Sequence, residues 1–99
     1  MKEKPAAINN RRLTVALSYG GTGAPRVTAK GEGLLGEQIV ELAREHGIPI
    51  QEDGQLSEAL AQVPLGEEIP ETLYIAVAEV LALAFRLSGR VPPGNTADD

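Results

Sequence analysis

The sequence predicts an α/β domain: a small mixed β-sheet of three to four strands flanked by about three helices. Three observations carry this. Leu13, Val15, Leu17 and Tyr19 alternate strictly with Thr14, Ala16 and Ser18, the period-two signature of a half-buried strand. Two later stretches space their residues as helices do. One holds Leu35, Ile39, Leu42 and His46; the other holds Leu73, Tyr74, Val77, Val80, Leu81, Ala84 and Leu87. Glycine and proline fall between these stretches, where chains turn.

The elements follow in order. Met1 to Pro5 read as a charged, flexible leader, and Ala6-Ala7-Ile8 as at most a fragment of strand. The first full strand stops at Gly20-Gly21-Thr22-Gly23, because repeated glycine favours positive φ and resists regular structure. Pro25 ends that loop, and Val27 and Ala29 continue as a second strand antiparallel to the first. A helix starts at about Gly33. Its stripe of Leu35, Ile39, Leu42 and His46 is the expected core face, widened by Val40 and Ala43. Gly47 suits the left-handed position just past a helix end. Ile48-Pro49-Ile50 reads as a short buried strand, and strand–helix–strand order implies a parallel pair joined by a right-handed crossover.

Asp53-Gly54 turns the chain into a short helical stripe of Leu56, Ala59, Leu60 and Val63, stopped by Pro64. Pro70 fits the first turn of a last helix, where its missing N–H costs nothing, and Glu71 complements the positive helix end. That helix, from about Glu71 to Leu87, is the largest expected contributor to the core. Residues 88–99, with Pro92-Pro93-Gly94 and a final Asp98-Asp99, read as a disordered tail, leaving 6–87 as the domain.

Bulk properties exclude several functions. The 99 residues suffice for one domain that buries about 60–65% of its unfolded surface. A net charge of −5, without basic clustering beyond Arg11-Arg12, argues against a nucleic-acid partner. No cysteine is present, which removes disulfides and thiolate metal sites. No apolar run approaches the roughly 20 residues that span a bilayer, and the start lacks a signal peptide. A cytoplasmic protein without direct membrane insertion is expected.

Few residue patterns carry chemistry. Gly31-Glu32-Gly33-Leu34-Leu35-Gly36 matches the dinucleotide pattern G-x-G-x-x-G, with Glu52 and Asp53 about twenty residues on. Against it, Glu32 would set negative charge where a pyrophosphate needs free N–H groups. The other reading of these glycines is a tight strand-to-helix connection. His46, the one histidine, suits the last turn of a helix, where it meets free carbonyls, better than a metal site. Glu67-Glu68 and Asp98-Asp99 read as solvated charge, and Glu79, inside the last helix, is one acid without a partner for acid–base work. No serine elbow, P-loop or triad is found, so neither an enzyme nor a cofactor is expected. Ala24, Pro25, Ala78 and Leu81 have two readings. They are core and turn residues, or they line a shallow apolar groove, since Ala78 and Leu81 lie three apart on one helix.

Ala24-Pro25 with Val27, Ala29-Lys30-Gly31, Arg44-Glu45-His46-Gly47-Ile48-Pro49 and the run from Ile69-Pro70 to Leu81 occur in a set order. With Val15-Ala16-Leu17 and Tyr19 they resemble the cytoplasmic C-terminal domain of the FlhB/YscU family of type III export switch proteins. The resemblance covers roughly Ala6 to Leu87. It implies a non-enzymatic module of flagellar or type III export, peripheral at the membrane gate, whose partners are export-gate proteins and early export substrates. It also implies that Ala24, Pro25, Ala78 and Leu81 receive the hydrophobic signal of those substrates. At the family's self-cleaving Asn-Pro-Thr-His motif this chain has Asn9-Asn10-Arg11-Arg12, so no autocleavage is expected. The expectation is a free-standing relative that replaces the cleaved fragment. With only Ala6-Ala7-Ile8 to supply the strand before that turn, the sheet is expected to have an open edge that accepts a strand of truncated or full-length FlhB. A nucleotide-binding domain using Gly31 to Gly36, or a homodimeric adaptor, are the alternatives.

Overall fold

The computed structural model describes residues 4–10 and 12–87, the side chains of 83–87 excepted. Met1–Glu3 of the expected leader, Arg11 of the turn and the expected tail at 88–99 lie outside the described residues. Four strands form one mixed sheet: β1 (Lys4–Asn9), β2 (Leu13–Tyr19), β3 (Arg26–Glu32) and β4 (Ile50–Glu52). Three helices accompany it: α1 (Leu34–Glu45), α2 (Gly54–Ala61) and α3 (Tyr74–Leu87). A 3-10 turn at Glu71–Leu73 leads into α3, closed by Leu73 N–H on the Pro70 carbonyl at 3.0 Å.

The sheet order is β3-β2-β1-β4. β1 is therefore no fragment at an edge. It is a six-residue central strand, antiparallel to β2 (Ala6 opposite Leu17, Ile8 opposite Val15) and parallel to β4 (Ala7 opposite Ile50). Lys4 and Pro5, expected in the leader, belong to it. The expected open edge at this place is thus filled by the chain's own strand. Short apolar Ala6-Ala7-Ile8 suffices because a strand paired on both sides draws its stability from non-local partners. The expected strand–helix–strand unit also differs. β3 and β4 run in the same sense but lie at opposite edges, with β2 and β1 between them. β4 begins at Ile50, two residues later than expected, while Pro49 accepts from Ala7 N–H at 3.0 Å.

The core lies on one face of the sheet. Ala6, Ile8, Val15, Leu17 and Val27 pack there against Leu56 and Leu60 of α2, Val63 and Ile69 of the following loop, and Val77, Val80 and Leu81 of α3. Ile8, Leu17 and Leu60 are fully buried, each contributing about 1.5–3 kcal/mol of hydrophobic stabilisation. A bulge sets the register of β3. Ala16 faces Ala29 and Leu17 faces Val27, so Thr28 is the extra residue. Residues opposite each other share a face. Val27 therefore joins the core, while Ala29 and Gly31 turn to the other face with Ala16 and Thr14. Lys30, opposite Val15, reaches across the core side, and its ammonium donates to the Ala61 and Val63 carbonyls at 2.8 and 2.7 Å. These are carbonyls at the end of α2, where cations are favoured.

α1 packs on the opposite face, through a narrow side. Gly36 and Ala43 are buried, Ile39 and Val40 half-buried, and Leu34, Leu35 and Leu42 exposed. The stripe of Leu35, Ile39, Leu42 and His46 is thus not the core face. The reason is close approach: a Cβ at Gly36 would lie 2.8 Å from the Gly31 carbonyl and 3.2 Å from Thr14 Oγ1. A helix this near the strands presents its smallest residues. The C-terminus of α1 ends as expected. Gly47 takes φ 68°, its N–H bonds Arg44 O at 3.1 Å, and Ile48 N–H reaches back to Ala43 O at 2.8 Å, a Schellman closure. α2 is capped by the Asp53 carboxylate, which accepts from Leu56 N–H at 3.0 Å.

Candidate functional site

Ala24, Pro25, Ala78 and Leu81 come together in space. They line one apolar groove of about 360 Å³ with Tyr19, Gly23, Tyr74, Val77 and Ala82. One wall is the β2–β3 loop, which Gly21 (φ 100°) and Gly23 (φ 72°) allow to turn sharply. Ala24 and Pro25 are buried in it, and the Pro25 carbonyl accepts from Ile69 N–H at 2.9 Å. The other wall is α3. Val77 and Leu81 are buried and form the floor, while Ala78 is exposed and small enough to leave the trough open. Tyr74, which the spacing placed on the core face, is 44% exposed and stands at the rim. Tyr19 and Tyr74 are the two tyrosines of the chain, and both line this groove. Helical spacing alone did not mark Tyr74 as a groove residue, because rim and core positions share one face of α3.

The β2–β3 loop is held from outside as well. Arg26 donates to the Gly66 carbonyl at 2.9 Å and meets Glu68 at 3.4 Å. Both charged side chains are about half exposed, so the pair fixes geometry more than it stabilises. Val27 N–H bonds Glu67 O at 3.1 Å and Gly66 N–H bonds Val27 O at 2.7 Å, covering part of the β3 edge. At the other end of these strands, a larger and more polar depression of about 790 Å³ is lined by Lys30, Glu32, Glu58 and Gln62 among others. Its lysine is already committed to α2, so the apolar groove is the better candidate site.

The turn after β1 is built by Asn10. Its side-chain oxygen accepts from Arg12 N–H and Leu13 N–H, both at 2.8 Å, and its own N–H bonds Leu13 O at 2.9 Å. Asn9 Nδ2 donates to the Asn10 carbonyl at 3.0 Å, and the Asn9 carbonyl accepts from Asp53 N–H at 2.9 Å. Asn9, Asn10 and Arg12 therefore share one hairpin turn, far along the sheet from the groove.

Gly31, Gly33 and Gly36 serve packing. Gly33 adopts φ 60° and donates to the Arg12 carbonyl at 2.8 Å, and Gly31 and Gly36 abut. A dinucleotide fingerprint needs a helix joining neighbouring parallel strands; here α1 joins strands at opposite edges. His46 caps α1, its Nδ1 2.9 Å from the Leu42 carbonyl, so that nitrogen carries the proton. Glu79 is exposed. Among the described residues no three His, Cys, Asp or Glu converge as a metal set, and no helix is long and apolar enough to cross a membrane.

Sheet order, helix placement and groove define a single α/β domain with a four-stranded mixed sheet and three helices. Residues 7–84 match the family described as FlhB HrpN YscU SpaS Family, and the chain belongs to that family. It is 46% identical over 82 residues to the flagellar biosynthetic protein FlhB of Yersinia enterocolitica, a match covering 80% of this chain and 21% of that protein. The chain thus spans about a fifth of that relative. It is 39% identical over 82 residues to the YlqH protein of Bacillus subtilis, covering 81% of this chain and 88% of YlqH. The cytoplasmic domain of FlhB from Shewanella putrefaciens superposes with a TM-score of 0.79 at 34% identity, covering 94% of this chain and 78% of that one. A mutated EscU C-terminal domain superposes at 0.75 with 28% identity, covering 79% and 81%.

Proposed function

We propose that this chain is a non-enzymatic module of flagellar or type III protein export, whose apolar groove receives a short hydrophobic segment of early export substrates. The observation that carries the reading is the meeting of Ala24, Pro25, Ala78 and Leu81 in one trough. Two buried side chains form its floor, and an exposed alanine leaves it open. Family membership supplies the export context. The module acts in place of the C-terminal fragment of an FlhB protein, at the export gate. Its sheet supports this role, because β1 is supplied in cis and the domain needs no donated strand. The Asn9–Asn10 bond stays intact in this reading, since the Asn9 amide is engaged by the next carbonyl rather than free to attack its own.

The test is complementation. The chain is expressed in cells whose FlhB has lost its cytoplasmic C-terminal fragment, and motility and hook length are scored. Restored export is expected, and Ala78→Arg, an exposed position, should abolish it without unfolding the protein. A folded chain that restores nothing would refute functional replacement. Binding can be followed separately through tyrosine fluorescence, because the chain has no tryptophan and both tyrosines border the groove.

A further inference from the structure

The surface of α1 raises a question the groove does not answer. α1 packs on the sheet face opposite α2 and α3, and one flank of it exposes large apolar side chains. Leu34 is 75% exposed, and Leu35 and Leu42 are each 55% exposed. Leu35, Ile39 and Leu42 stand at i, i+4 and i+7 and form one continuous ridge. Single exposed apolar residues are ordinary, but a contiguous row of large ones marks an interaction surface. On the adjoining outer side Glu37, Glu41 and Glu45 follow at four-residue spacing, all exposed and none ion-paired to a described residue. Arg44 is the basic residue of the helix.

We propose that this ridge docks an amphipathic helix of another protein, with an apolar stripe against Leu35, Ile39 and Leu42 and Lys or Arg flanks opposite Glu41 and Glu45. Charge selects the occupant. A second copy of this chain would bring one net −5 charge against another and set like acidic rows together. An anionic lipid surface is repelled for the same reason. A helix with basic flanks gains at both rows, apolar area at the ridge and opposite charge at the rim, which is the helix-docking mode of peptide recognition.

The probe is a synthetic peptide of about eighteen residues, five helical turns, with a leucine stripe and lysine flanks. Its isomer carries glutamate in place of lysine. Affinities are measured by calorimetry at physiological ionic strength, where distant charges are screened. The lysine peptide should bind at least about tenfold more tightly than the glutamate peptide. The double variant Leu35→Ser/Leu42→Ser, checked for folding by circular dichroism, should lose at least about tenfold in affinity for it. Glu41→Lys/Glu45→Lys, which leaves the ridge intact, should invert the preference between the two peptides. Equal binding of the lysine peptide to the double-serine variant would reduce the effect to general attraction to an acidic protein and overturn the proposal. So would failure of the lysine peptide to bind. So would a dimer in sedimentation that the double-serine variant dissolves, because a second copy would then cover the ridge.

Discussion

Replacing Gly36 with alanine adds one methyl group at the tightest contact between α1 and the sheet. That Cβ would meet the Gly31 carbonyl at 2.8 Å, Thr14 Oγ1 at 3.2 Å and the Arg12 carbonyl at 3.4 Å. Two of the three are backbone oxygens. Gly31 is held in the ladder opposite Thr14, and Arg12 O is bonded to Gly33 N–H, so neither can swing aside. α1 must lift instead. Overpacking of this kind costs about 1–3 kcal/mol, against a helix-propensity gain of at most about 1 kcal/mol for Gly→Ala. The net expectation is a loss of about 1 kcal/mol, a fall of about 4–8 °C in Tm for a domain of this size. Gly54→Ala is the matched control. Gly54 opens α2 outside the left-handed region, and its nearest neighbours lie at an ordinary 3.5 Å. There the smaller entropy of the unfolded chain should stabilise by about 0.4–1 kcal/mol. Thermal melts by circular dichroism should therefore move in opposite directions. A Gly36→Ala protein that melts at or above the parent temperature would refute the close-packing account of these glycines.

Three other outcomes are expected. Lys30→Met keeps the apolar stem but strands the Ala61 and Val63 carbonyls, and should lower stability by about 1–3 kcal/mol, read as a lower urea midpoint with unchanged slope; an unmoved midpoint would count against the bond pair. Asp53→Ala removes the cap on Leu56 N–H and should cost about 1 kcal/mol, whereas Asp53→Asn keeps the acceptor and most of the stability. Intact-mass measurement of the purified, aged protein should give one species; a fragment beginning at Asn10 would show that the turn still cleaves.

Local signals were legible in the sequence, and long-range ones were not. The alternation of Leu13 to Tyr19 marks β2 to the residue, because its large apolar side chains fall on one face and its small or hydroxylated ones on the other. The glycine at 47 and the proline at 70 mark helix ends for the same local reason. β1 was hard to see, since Lys4-Pro5 and Asn9 are poor strand formers. They are held by partners from β2 and, some forty residues away, from β4. Periodicity reports the apolar stripe of α1, while glycine-to-backbone contact decides which side approaches the sheet. Val27 and Ala29 separate onto opposite faces through a bulge that no residue announces. In the groove, the spacing of Ala78 and Leu81 leaves core and groove readings open for Ala24, Pro25, Ala78 and Leu81, and the family resemblance favours the groove. Small residues carry no periodic signal of their own.

Vectorial synthesis meets this fold in an awkward order. β1, β2 and β3 leave the ribosome before the rest of the domain and can pair at once as a meander. The apolar face they share, Ala6, Ile8, Val15, Leu17 and Val27, has no cover at that stage. Its cover is Leu56, Leu60, Val77, Val80 and Leu81, all from the second half of the chain. β1 also waits for β4 before its second ladder closes. A nascent chain halted after α1 would hold a three-stranded sheet with one naked hydrophobic side, the state most open to aggregation. Completion of the domain is therefore tied to emergence of α3, and the helix that walls the groove is also the one whose arrival ends the vulnerable interval.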